Sequence, residues 1–320
     1  MVAFVLRRLA IAVPVILGIL LIAFCFVHLL PGSPIQMLIN PNDLSGPDSA
    51  KYLASLRAEL GLNKPLPIQW LDWMGQLLKG NLGYSYQQQV PVTSLIGQRI
   101  GATVLLSVTA LLLALAIAIP LGVVAALKQR SGFDYASVGI SMFAISIPIF
   151  FLGLMAIYVF SLRLGWLPPG GISTLGVTGS FSDTVRHLAL PACVLSAVLL
   201  GPYVRYVRQS MLEVLGMDYI RTAIAKGAPR RRVVFRHALR NALIPLTTVL
   251  AIQIPALLAG TLVIETVFAW PGLGLLVYDA ISNRDYPIIL AVVMLSAALV
   301  VLFNLIADVV AAVLDPRIRL

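Results

Sequence analysis

The chain has 320 residues, of which 59% are hydrophobic and only 11% charged, and its mean hydropathy is +0.95. Soluble domains carry about a quarter of their residues as charged side chains, so this composition excludes an ordinary soluble globular fold. A net charge of +10 and a pI near 9.9 fit the positive-inside bias of a membrane protein better than the basic footprint of a nucleic-acid binder.

A helical span needs about 20 apolar residues. Six runs free of Asp, Glu, Lys and Arg reach or approach that length: Leu9–Leu30, Gly101–Leu127, Tyr135–Leu162, Leu188–Val204, Asn241–Ile264 and Ile288–Ala307. Arg7 and Arg8 precede the first run and no A-x-A-like site follows it, which predicts an uncleaved first span and not a signal peptide. Pro14, Pro120, Pro148, Pro191, Pro202, Pro245 and Pro255 interrupt the runs; membrane helices accept them where neighbours re-satisfy the freed carbonyls, so packed, kinked spans are expected. Cys25 and Cys193 fall inside spans without metal or disulfide spacing and read as small apolar packing residues.

The expected organisation is a cytoplasmic N-terminus and first span over 1–30, an extracytoplasmic segment over 31–98, and a core of five further spans over 99–320. Residues 31–98 hold a modest helical signal at Ser49–Leu60 and the aromatics Trp70, Trp73, Tyr84 and Tyr86. These read either as part of a small cap or as interfacial anchors. External loops follow at Arg163–His187, which is rich in Gly, Ser and Thr, and at Ala269–Pro287. Most of the 23 Lys and Arg lie on the side that holds both termini, above all between Arg205 and Arg240. That side is therefore predicted to be cytoplasmic.

The internal loop, about 209–241, carries a short helix signal. Asp218 reads as its N-cap, Gly227 suits the left-handed position after the helix, and Pro229 stops continuation. Tyr219, Ile220, Ala223 and Ile224 form one apolar stripe, with Arg221, Thr222, Ala225 and Lys226 around the rest. A second stripe follows in Val234, Phe235, Ala238, Leu239 and Ala242, flanked by Arg230, Arg231, Arg232, Arg236 and Arg240. A helix this short is unstable alone in water. It must pack on its own chain, on another protein or on the membrane surface.

The loop resembles the EAA loop of importer-type ABC transporter permeases. Of the general pattern only Ala223 and Gly227 match, with Arg221 and Thr222 in place of the acidic residue and first alanine, and His237-Ala-Leu-Arg240 where I-x-L-P would stand. Those departures are similar to one branch, the dipeptide/oligopeptide/nickel permeases, whose loop reads D-Y-x-R-T-A-x-A-K-G followed by R-H-x-L-R-N-A-L-I-P. Here those segments are Asp218–Gly227 and Arg236–Pro245. The resemblance continues through Leu30-Pro-Gly-Ser-Pro34, Leu60-Gly-Leu-Asn-Lys-Pro-Leu-Pro67, Gly80-Asn-Leu-Gly-Tyr-Ser85 and Ile119-Pro-Leu-Gly122. It ends with Glu265-Thr-Val-Phe-Ala-Trp-Pro-Gly-Leu-Gly274, Arg284-Asp-Tyr-Pro287, Asn304-Leu-Ile-Ala-Asp308 and Leu314-Asp-Pro-Arg-Ile-Arg319.

This resemblance implies an all-α membrane protein with six transmembrane helices and a type I ABC importer permease fold in a bacterial or archaeal cytoplasmic membrane. It implies a second homologous permease subunit, two cytosolic ATPase subunits and an extracytoplasmic substrate-binding protein. It also implies that Asp218, Tyr219, Ile220, Arg221, Thr222, Ala223, Lys226 and Gly227 couple to the ATPase. The chain has no G-x-x-x-x-G-K-[ST] and no Gly-Lys pair, so it lacks a P-loop; ATP and Mg would be held by the partners, with no cofactor in this chain and no catalytic role of its own. The expected cargo is di- or oligopeptides, with nickel chelates, glutathione or oligosaccharides as the alternative. An ion-coupled secondary transporter would carry acidic residues near its span centres, and none occurs there.

Polar residues in or beside spans mark functional positions. The candidates are Gln253, Glu265, Asn304 and Asp308. Asn304 and Asp308 read as a hydrogen-bonding pair at i and i+4, and Glu265 as a span-end group that reaches water or caps backbone. Gln253, the most central, is the candidate for the pathway. His28, His187 and His237 are scattered and make no metal spacing.

Overall fold

The computed structural model describes residues 2–29, 54, 55, 58, 61–177 and 179–314. The helical signal at Ser49–Leu60, the Leu30–Pro34 motif and the end of the Leu314–Arg319 motif lie largely outside these residues, as does the side chain of Asp308. Among the described residues the secondary structure is helical apart from one isolated bridge between Tyr84 and Pro91. The chain forms two compact units, Met1–Gly101 with Gly272–Val301, and Ala102–Pro271 with Leu302–Leu320.

The first unit contains α1 (Val2–Leu29), α2 (Leu66–Leu78), the start of α3 (Val92–Leu127), α10 (Leu273–Ser282) and the first part of α11 (Tyr286–Leu314). Pro65 fixes φ ahead of α2 and, having no N–H, loses nothing at a helix start. Phe24 and Val27 of α1 pack with Val92, Leu95, Leu276, Ala280 and Ile289, and Trp70, Trp73 and Tyr86 rest against that core. Three of the four aromatics therefore pack on the core of the first unit, while Tyr84 is exposed. Asp285, buried, gathers the turn before α3: its carboxylate accepts from the Ser85 hydroxyl, from the Tyr86 N–H at 3.1 Å and from the Gln87 N–H at 3.3 Å.

The second unit holds the rest of α3, then α4 (Gly132–Ser146), α5 (Ile149–Ala156, continuing as a π-helical stretch Ile157–Arg163) and α6 (Phe181–Leu215). After them come α7 (Asp218–Ala225), α8 and α9 (Ile244–Val267). The α8 segment runs as Arg230–Arg232, a π-helical stretch Val233–Leu239 and Arg240–Ala242. The run Tyr135–Leu162, expected as one kinked span, is broken into α4 and α5 at Ile147-Pro148. Proline disfavours the helical region for the residue before it; Pro14, Pro120, Pro191 and Pro202 are accommodated inside helices, but Ile147 is extended at φ −84°, ψ 127°. The run Leu188–Val204 lies inside a 35-residue helix that carries Asp183, Arg186, Arg205 and Arg208 beyond it. Among the described residues four stretches are long and apolar enough to cross a membrane: Ala10–Leu29, Val92–Leu127, Phe181–Leu215 and Tyr286–Ala307.

Inside a bilayer, helices gain little from sheltering apolar surface, so close packing of small residues matters more. Ala110, Ala114 and Ala118 are fully buried at i, i+4 and i+8 of α3. Gly122 continues the row, where a Cβ would lie 2.7 Å from Val207 Cβ and 2.9 Å from the Val204 carbonyl of α6. No other residue fits that crossing unchanged. Cys25 and Cys193, expected to pack inside, instead sit at the outer surface of the chain. Their small size fills no gap between helices.

Candidate functional site: the internal loop and the cavity behind it

The α7 helix starts one residue earlier than its capping pattern predicts. Met217 occupies the N-cap with extended φ −74°, ψ 148°, and Asp218 is the first helical residue. The Asp218 side chain caps nothing. It is almost wholly exposed, 3.8 Å from Arg221 Nη1, a surface pair worth little, although its charge favours the helix dipole. At the other end the expectation holds. Gly227 is left-handed at φ 78°, its N–H bonds the Ile224 carbonyl at 2.9 Å, and the Ala228 N–H reaches Ala223 at 3.1 Å. This is a Schellman closure, which satisfies the last carbonyls of the helix.

The predicted apolar stripe splits in two. Ile220 is 1% exposed and Ala223 is half-buried against Val233, Val234, Ala238 and Met211, so these two anchor α7 to its own chain. Tyr219 and Ile224 turn outward, and so does Phe235, which the second stripe had placed inside. The Tyr219 hydroxyl accepts from Asn241 Nδ2 at 3.1 Å, tying α7 to the end of α8. Arg221, Thr222, Ala225 and Lys226 are exposed. The loop is thus held from behind by apolar burial and presents a mixed apolar and basic face forward.

α4 and α6, behind the loop, are joined by Asp134 and Arg208. Arg208 Nε donates to Oδ1 at 2.5 Å and Nη2 to Oδ2 at 2.7 Å, while the Arg130 N–H donates to Oδ2 at 3.0 Å. The Arg208 guanidinium, with the Arg130 N–H, holds the Asp134 carboxyl below its ordinary range against the opposing effect of burial. The sequence reading missed this fork and counted Arg208 only as inside charge. A signal was present: Asp134 is the sole acidic residue between Asp72 and Asp183.

Gln253 of α9 is half-buried and lines a cavity of about 510 Å³ with Arg205, Tyr203, Tyr206, Arg208 and Gln209 of α6 and Val138 of α4. The other polar candidates lie apart from it. Glu265, in the last turn of α9, is fully buried and accepts from Thr103 Oγ1 at 2.7 Å, so it does not reach water. Asn304 is exposed on α11. In the first unit a separate cavity of about 460 Å³ is lined by Phe24, His28, Trp73, Tyr86 and Tyr286.

Long apolar helices, small-residue crossings and a basic internal loop define a multi-pass membrane protein. Residues 118–320 match the family described as binding-protein-dependent transport system inner membrane component, and residues 1–107 match the N-terminal family of the same membrane components. The chain belongs to this family of ABC-transporter permeases and is a multi-pass inner-membrane protein. Its relatives include the oligopeptide transport system permease protein AppB of Bacillus subtilis, 41% identical over 320 residues and all of both chains. The dipeptide transport system permease protein DppB of Escherichia coli K12 is 42% identical over 340 residues, covering all of this chain and 99% of that one. Among solved structures, an inward-facing MetNI methionine ABC transporter chain superposes with TM-score 0.52 at 19% identity, over 70% of this chain and 97% of that one. That likeness concerns the fold alone.

Proposed function

We propose that this chain is the membrane-spanning subunit of an ATP-driven, binding-protein-dependent importer of di- or oligopeptides. The cargo class rests on the relatives, whose names specify dipeptide and oligopeptide transport. In this reading all six predicted runs cross the bilayer, with α4 and α5 together forming the third crossing, and both termini are cytoplasmic. A second homologous permease completes the pathway, an extracytoplasmic binding protein delivers cargo, and two ATPase subunits hold ATP and Mg, this chain carrying no cofactor.

The observation that carries the coupling role is the two-sidedness of α7. Ile220 and Ala223 fasten the helix to the chain, while Tyr219, Arg221, Thr222, Ala225 and Lys226 face outward beside Asp218. A helix fixed from behind can be pushed as a rigid lever by an ATPase cleft that closes on its front. Gly227 lets the backbone turn sharply behind it. Motion of the lever would bias the rocking between inward- and outward-open states, with Gln253 on the pathway.

The test is co-purification and uptake with variants of the outward face. Ala225→Arg, which meets no core, is expected to lower ATPase association and ATP-driven peptide uptake together. Normal association and uptake in Ala225→Arg and in Gly227→Asp would remove the coupling role from this loop.

A further inference from the structure

Arg205 is an exposed arginine at the end of a predicted span. It follows directly on the predicted span Leu188–Val204, and α6 continues helical for ten more residues to Leu215. Gln253 lies nine residues into α9 from Ile244. At about 1.5 Å per residue both positions are roughly 14–15 Å along their helices from the ends nearest the internal loop. Arg205 and Gln253 thus lie at similar distances from those helix ends and line one cavity behind the loop.

The neighbouring cation has its partner and Arg205 does not. Arg208 is forked onto Asp134. Among the described residues Arg205 donates only to the Met142 sulfur, at 3.7 Å, a weak acceptor for a group with five donors. Tyr203, which also lines the cavity, is 2% exposed, and its hydroxyl finds no hydrogen-bond partner. Gln209 donates to Glu213 at 3.0 Å, which leaves its carbonyl free to accept, and Gln253 adds a complete amide. The Tyr203 hydroxyl, buried without a partner, and the exposed Arg205 guanidinium beside it on the same cavity offer donors to a ligand that supplies acceptors.

We infer that Arg205, with Gln253 and Gln209, binds the terminal carboxylate and adjacent peptide group of the transported peptide. The guanidinium pairs with the carboxylate in a fork. The two side-chain amides match the donor and acceptor of one peptide bond, and the half-buried ring of Tyr206 receives a side chain. A volume of about 510 Å³ accommodates a dipeptide. This site deepens the proposed function and rests on it.

The test uses the complete transporter, with its ATPases and binding protein, in proteoliposomes. Uptake of a mixed dipeptide library is compared with uptake of the same library amidated at its C-termini, both read by mass spectrometry. The binding protein is common to all variants, so a change in acid-over-amide preference between variants belongs to the permease. In Arg205→Gln acid uptake is expected to fall about tenfold, the scale of one lost charged hydrogen bond, while amide uptake stays the same and Arg205→Lys restores most of the loss. Acid uptake within twofold of wild type, or equal loss of acid and amide uptake, would overturn the inference. Should Arg205→Gln fail to assemble, Gln253→Glu, which sets a like charge beside the bound carboxylate, is expected to give the same selective loss. Failure of the wild-type complex to import any dipeptide with ATP would instead overturn the peptide-importer reading itself.

Discussion

Arg208 and Asp134, 74 residues apart, meet in a two-pronged ion pair that fastens α6 to α4 next to the internal loop. Asp134 is 3% exposed and Arg208 22%, so the pair is sheltered enough for its breakage to matter. Its geometry decides what Arg208 can do: both prongs are used on Asp134, which leaves Arg205 as the cation of the neighbouring cavity.

Asp134→Asn is expected to destabilise the protein by about 3 kcal/mol, since it strands a partly buried guanidinium. Adding Arg208→Met should recover much of that loss. The pH dependence has a definite sign. The folded carboxyl titrates below its ordinary 3.8, so its contribution is complete above that value and is lost as pH falls through the lowered one. Thermal unfolding in detergent should show wild type losing stability below about pH 4 more steeply than Asp134→Asn.

The two faces of α7 respond differently to substitution. Ile220→Ala removes a side chain that is 1% exposed and should cost about 2–4 kcal/mol, visible as earlier proteolysis of the loop. Ala225→Arg adds bulk at an exposed position and should leave the unfolding temperature alone while weakening ATPase co-purification. Equal unfolding temperatures for the two would contradict the two-sided arrangement.

Gly122→Ala should destabilise despite its higher helix propensity. The added Cβ would overlap Val207 Cβ and the Val204 carbonyl, which forces α3 from α6 at about 1–3 kcal/mol. Gly97→Ala, on the same helix with open space around its Cβ, is the control and should be neutral or stabilising. Unfolding measured for both variants checks the contrast.

The Tyr86 phenol is pushed up to about 12, chiefly by burial and secondly by the Asp285 carboxylate. Asp285→Asn should therefore lower its titration midpoint without returning it to 10, because burial remains. Spectrophotometric titration of phenolate reads the midpoint. In wild type this raised value means that stability is full below pH 10 and declines as pH rises towards 12.

Among the described residues four of the six predicted runs were legible as helices long and apolar enough to cross a membrane, because lipid demands long apolar segments whatever their neighbours. Gly227 was legible because only a left-handed residue closes a helix that way. The helix start at Asp218 was misplaced by one residue, since Asp is favourable both as a cap and in the first turn. The stripes of α7 and α8 were right in period and wrong in direction at Tyr219, Ile224 and Phe235. Periodicity shows that a face exists without showing how wide it is or what covers it.

Composition and local pattern alone thus determined an all-helical membrane chain, a loop built around a short helix, and the motifs that tie it to its family. Both kinds of signal act within a few turns, so they are written into contiguous residues. Only the tertiary structure decided that Asp134 holds Arg208, that Asp285 holds the turn at Ser85, and that Arg205 and Gln253 share a cavity. Those pairings join residues tens to hundreds of positions apart, and their energy depends on distances of a few ångströms that no local spacing encodes.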